Sequence, residues 1–196
     1  MIQRLSPVLA LLALLAPLPA GAGALSDLLM APGLFADAPA GRGVAYAEDL
    51  AVPEGGTLRD VTGGVVRLVR ESDGKPHPVG TFPPGVANPL LLYFLETTVR
   101  ATAEATGGSP YYIRNRIREA FVAADLGPGG DPEGSHAVTL SPFAQDPNRA
   151  KMGLFADLLL RLRFDPAQPE RILELSADTA PGEDGYHEKM VLIAED

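Results

Sequence analysis

The chain has 196 residues, with 16 basic against 25 acidic side chains, a formal net charge of -9 at neutral pH and no cysteine. A body this acidic is repelled by phosphate backbones and anionic lipid surfaces, which argues against nucleic acid as a partner. Without cysteine there is no disulfide, thiol nucleophile, thiolate metal site or lipid on an N-terminal Cys, so the fold rests on burial.

Residues 1–24 open with Arg4, continue through a Leu/Ala run from Val8 to Leu18, and finish in small residues from Ala20 to Ala24. A short basic region, an apolar region and an A-x-A site are the layout of a secretory signal peptide. The apolar run falls short of the ~20 residues of a spanning helix, so the mature chain is expected to lack a transmembrane segment. Cleavage after Ala22 or Ala24 leaves about 172–174 residues, enough for a single α+β domain over 25–196. Arg outnumbers Lys, and Ala, Gly and Pro abound, as in a GC-rich bacterial source. The expected location is the periplasm or the exterior.

Residues 25–43 read as a partly irregular arm. Ser26 can begin one turn holding Leu28, Leu29 and Met30, but Pro32, Pro39 and nearby glycines break anything longer. Arg42 to Leu50 alternates weakly, as a first strand. Gly64 to Glu71 alternates better, and Ser72-Asp73-Gly74-Lys75 signals a turn into Pro76 to Phe82, a Pro-broken edge strand.

At the centre, Asn88-Pro89 combines an N-cap with Pro at the first helical position, and Gly107 ends the helix. Glu96, Arg100 and Glu104 follow at spacings of four, an exposed charged ladder. Ser109-Pro110 repeats the start signal, and Gly127 is the expected end of a second helix with an apolar stripe of Ile113, Ile117, Ala120, Phe121 and Ala124. The Gly107-Gly108 link folds the two helices into a hairpin.

A Gly/Pro loop follows, then a short strand from His136 to Leu140. Met152 to Phe164 fits both a strand and a helix; Arg161-Leu162-Arg163-Phe164 running into Asp165-Pro166 favours the strand. Ile172 to Ala177 and Tyr186 to Ala194 complete an antiparallel meander in the C-terminal third. The fold class read from these signals is α+β: an antiparallel sheet packed on one face by the central helical hairpin.

Three constellations carry candidate chemistry. Pro89 to Leu95 is apolar all round its helix, which fits either plain burial or the wall of an apolar pocket beneath the hairpin, lined by Leu91, Phe94, Leu95, Ile113, Ile117 and Phe121. Ser109, Tyr111, Arg114 and Arg118 stand at or after a helix N-terminus, where free N–H groups and guanidinium groups grip small anions. His77, His136 and His187 each follow an acidic-Gly pair at a strand start. Together they would suit Zn or Cu, provided that they converge; otherwise Asp-Gly and Glu-Gly are ordinary turn residues.

There is no G-x-S-x-G, no phosphate-binding G-x-x-x-x-G-K-[ST], and no H-x-x-x-H. The reading leans away from an enzyme and toward an exported envelope protein that binds or carries an apolar small molecule or contacts an envelope protein. Metal binding and small-anion binding stand as the alternatives.

Overall fold

A computed structural model describes residues 25–31, 42–50, 57–62, 66–72, 75–82, 87–126, 130, 134–179 and 185–195. The expected leader, most of the expected arm, and residues 73–74, 127–129, 131–133 and 181–184, read from the sequence as turns and loop, lie outside them. In chain order the elements are α1 (Leu25–Leu29), β1 (Arg42–Leu50), β2 (Thr57–Thr62), β3 (Val66–Ser72), β4 (Lys75–Phe82), α2 (Pro89–Thr106), α3 (Pro110–Ala123), β5 (His136–Leu140), two 3-10 turns (Arg149–Lys151, Gly153–Asp157), β6 (Leu159–Asp165), β7 (Gln168–Asp178) and β8 (His187–Glu195). Among the described residues no helix is long and apolar enough to cross a membrane.

The eight strands among the described residues form one antiparallel sheet in the order β4-β3-β2-β1-β8-β7-β6-β5. Each end of the chain contributes a four-stranded meander, and the two join where β1 pairs with β8. The fold class is therefore α+β, as the sequence pattern implies. The strand Thr57–Thr62 has no counterpart in the sequence reading. The ambiguous stretch 152–164 divides: its first part forms 3-10 turns, and the alternating part beginning at Leu159 is β6.

Period-two alternation gives the C-terminal half two unlike faces. Leu160, Leu162 and Phe164 are buried while Arg161 is exposed. Register aligns the buried side chains in rows across strands: Val138–Leu162–Leu175–Met190, and beside it Leu140–Leu160–Ala177–Glu188. A bulge between Arg163 and Phe164 shifts the pairing so that Phe164 faces Ile172 and stays inside. The other face carries ion pairs, Arg161–Asp178 at 2.7 Å and Lys189–Glu174 at 3.1 Å.

The hairpin covers the apolar face. Its first helix starts where Asn88 Oδ1 accepts the N–H groups of Leu90 and Leu91 at 3.0 and 3.4 Å, satisfying two donors that the helix cannot pair itself. The same side chain donates to the Glu170 carbonyl at 3.2 Å and so pins the helix start to β7. Gly107 ends α2 with φ 66°, a left-handed conformation that glycine adopts without a Cβ clash.

The second helix departs from its expected form at both ends. Ser109 makes no side-chain capping bond, and Pro110 alone marks the start. The helix stops at Ala123, short of Gly127. Ala124 turns extended, its N–H reaching back to the Phe121 carbonyl at 3.3 Å, while its own carbonyl accepts the Leu25 N–H at 3.1 Å. Docking of α1, whose Leu25 and Leu29 are fully buried, thus claims the backbone that another helical turn would use.

Leu91, Phe94, Ile113 and Phe121 join Leu160, Leu162, Phe164, Leu175 and Met190 in one core. Full burial of each large apolar side chain is worth about 1.5–3 kcal/mol. Several polar exceptions find partners close by. Thr98 and Thr102, both fully buried, donate to the carbonyls of Phe94 and Thr98 at 3.1 and 2.8 Å. Glu188, fully buried within an apolar row, accepts the Tyr186 hydroxyl and shares the single Thr98 hydroxyl proton with the Phe94 carbonyl, its Oε2 lying 3.3 Å from Thr98 Oγ1.

Candidate functional site: an apolar cleft on the helical hairpin

An all-round apolar helix has a second side once one side packs on a sheet. In α2 one stripe carries Leu92, Leu95, Glu96 and Val99, at positions i, i+3, i+4 and i+7. In α3 the same spacing gives Arg114, Ile117, Arg118 and Phe121. Such spacing places four side chains in one stripe on each helix. The two stripes face each other across a cavity of about 360 Å³, and Met30, just after α1, contributes a wall. That volume lies within the ~300–1,000 Å³ range of small-molecule pockets.

The apolar wall is made by Met30, Leu92, Leu95, Val99, Ile117 and Phe121. Leu92 is 36% exposed, which is unusual for a leucine in a helix otherwise rooted in the core. The remaining lining residues are Glu96, Arg114 and Arg118. Arg114 is committed to Glu96, donating from two nitrogens at 2.8 and 3.3 Å, and Arg100 donates to the same carboxylate at 3.2 Å. Burial by itself raises the Glu96 carboxyl, but the hydrogen bonds and charges of Arg114 and Arg100 outweigh it and hold the group below its ordinary value of 4.5. Glu96 is therefore an anion at neutral pH and clamps the two helices at the rim. Arg118 enters no ion pair among the described residues, so its charge faces the cleft uncompensated.

Leu95, Ile117 and Phe121 of the apolar set line this cleft, and so do Arg114 and Arg118 of the anion set. Leu91, Phe94 and Ile113 do not. All three are fully buried and stand outside the lining. Ser109 is exposed and Tyr111 is 72% exposed, and neither lines the cleft. Met30, Leu92, Glu96 and Val99 complete the site and are not among the candidate site residues of the sequence. For the three on α2 the signal is the i, i+3, i+4, i+7 stripe, hidden because the helix begins with a segment, Pro89 to Leu95, apolar on every side.

The three histidines are held apart, which removes them as a shared ligand set. His77 is on β4 and His136 on β5, the two opposite edges of the sheet, while His187 is on interior strand β8. Neighbouring strands lie ~4.8 Å apart, so even the nearer pair, on β8 and β5, is separated by three strand spacings. No group of three His, Asp or Glu among the described residues is disposed to hold a metal ion. The neighbours differ too: His187 Nδ1 sits 2.5 Å from Asp178, whereas the His136 ring faces the core opposite Phe164.

Compared with protein-family models and with curated proteins, the chain matches none.

Proposed function

We propose that this chain is an exported bacterial envelope protein that binds an amphipathic anion, an acyl chain bearing a carboxylate, in the cleft of α1, α2 and α3. One observation carries the reading. Arg118 is an uncompensated cation on the rim of an otherwise apolar cavity whose second arginine is already neutralised by Glu96. A neutral hydrocarbon would leave that charge without use, and a small inorganic anion would leave the apolar walls wet. A carboxylate on a chain satisfies both, with the head on Arg118 and the methylenes along Leu95, Val99 and Ile117.

The leader pattern and the acidic, cysteine-free body support a role outside the cytoplasm, where a poorly soluble acyl ligand needs a carrier. Titration of the protein with decanoate and with decanol, followed by calorimetry, tests the reading. Decanoate should bind and decanol should bind about tenfold or more weakly, since a hydrogen bond to a charged group contributes ~1.5–3 kcal/mol. Arg118→Ala should abolish the preference. Equal affinities for acid and alcohol, or no binding of either, would overturn it.

A further inference from the structure

A second cavity, of about 600 Å³, lies between the C-terminal turn of α2 and the 3-10 segment 149–157. It shares no lining residue with the acyl cleft. Its apolar surface comes from Ala101 and Ala105 on α2, from Met152 and Phe155 across the gap, and from the ring of Tyr186. Tyr186 and Phe155 are set as a tilted aromatic pair with centroids 5.4 Å apart, a geometry that rings favour. Because the Tyr186 hydroxyl is committed to the buried Glu188, the ring is fixed as a wall.

Two opposite charges face this space from opposite elements, Glu104 from α2 and Lys151 from the first 3-10 turn. Neither enters an ion pair among the described residues, with each other or with any other side chain. The last turn of α2 adds carbonyl oxygens that the helix leaves unpaired and the negative end of its dipole, beside Glu104. The α2 side therefore favours a cation and the Lys151 side an anion, with aromatic and aliphatic carbon between.

We infer that this cavity binds a small zwitterion with an apolar body, of which an apolar α-amino acid is the simplest example. The ammonium group meets Glu104 and the last turn of α2, the carboxylate meets Lys151, and the side chain lies on Met152, Phe155 and Tyr186.

The test is a calorimetric titration of the full chain with L-phenylalanine, phenethylamine and 3-phenylpropionate. The last two lack, respectively, the carboxylate and the ammonium group. Phenylalanine should bind, and each singly charged analogue should bind about tenfold more weakly. Glu104→Gln should bring phenylalanine down to the level of 3-phenylpropionate, and Lys151→Met should bring it down to the level of phenethylamine. Arg118→Ala should leave all three affinities unchanged, which separates this cavity from the acyl cleft. The inference is overturned if phenylalanine does not bind, if an analogue binds as well as phenylalanine, or if both charge variants leave its affinity unaltered.

Discussion

The Tyr112 hydroxyl donates to Asp146 Oδ1 at 2.8 Å, joining α3 to the loop before the 3-10 turns across 34 residues of sequence. Asp146 is a buried carboxylate that also accepts the Asn148 N–H at 2.6 Å, and its other oxygen lies 2.9 Å from Arg116 Nε. Asn148 Nδ2 in turn donates to the Tyr112 hydroxyl at 3.0 Å. Removal of the carboxylate strands several donors at once. Asp146→Ala should therefore destabilise the protein by about 2–4 kcal/mol, whereas Tyr112→Phe, which loses one hydroxyl, should cost about 1 kcal/mol. Urea denaturation of both variants checks this; equal losses would mean that Asp146 does not anchor the loop.

The two sides of α2 should respond differently to truncation. Phe94 is fully buried against the sheet, and Phe94→Ala should cost about 3–5 kcal/mol through lost burial and the cavity left behind. Leu92 faces the cleft and is partly exposed, so Leu92→Ser should shift stability by about 0.5 kcal/mol or less while weakening decanoate binding. Denaturation midpoints measured beside decanoate affinity separate the effects. A large stability loss from Leu92→Ser would place that side in the core and remove the cleft.

The Glu96 clamp gives the rim a pH dependence of definite sign. Its carboxyl lies below 4.5 in the folded chain because Arg114 and Arg100 hold the anion. The folded state thus binds this proton less readily than the unfolded chain does. The clamp's contribution is fully present above 4.5 and is lost as pH falls through the lowered folded value. Exposed pairs of this kind contribute about 0.2–1 kcal/mol, so the effect on global stability is small. A carboxyl-specific NMR titration should place the Glu96 midpoint below 4.5, and Arg114→Ala should move it up. A midpoint indifferent to Arg114 would mean that the two helices are not clamped there.

What the sequence carried best was punctuation. Pro89, Gly107 and Pro110 act on the backbone through a missing N–H or a missing Cβ, effects that hold in any surroundings, and the hairpin stands where they place it. The alternation of Leu160, Leu162 and Phe164 against Arg161 and Arg163 was equally local. The strand Thr57–Thr62 left no such trace, because Leu58 and Val61 fall on opposite faces at period two and charges sit between them. The early end of α3 depends on α1 arriving from about a hundred residues away, and no local rule encodes that contact. The cleft was hidden for a related reason. In a helix apolar on all sides, only the positions of its neighbours decide which side is covered. The similar local contexts of the three histidines likewise said nothing about strand order.

The hairpin link offers a test that separates backbone strain from crowding. Gly107 has φ 66°, and a Cβ built there would meet nothing within 4 Å. Gly107→Ala should therefore cost about 1 kcal/mol from the left-handed conformation alone. Gly107→Asn should recover part of that loss, because Asn tolerates this region better than Ala. At Gly108 the obstacle is different: an added Cβ would stand 3.0 Å from Thr106 Oγ1 and 3.4 Å from Ile113 Cδ1. Thr106 Oγ1 also accepts the Gly108 N–H at 3.1 Å, so it cannot swing away without giving up that bond. Gly108→Ala should be destabilising, and Gly108→Asn should be no better, since the clash lies at Cβ. Thermal unfolding of the four variants decides the matter. If Asn rescues position 108 but not position 107, the assignment of strain to one glycine and crowding to the other is reversed.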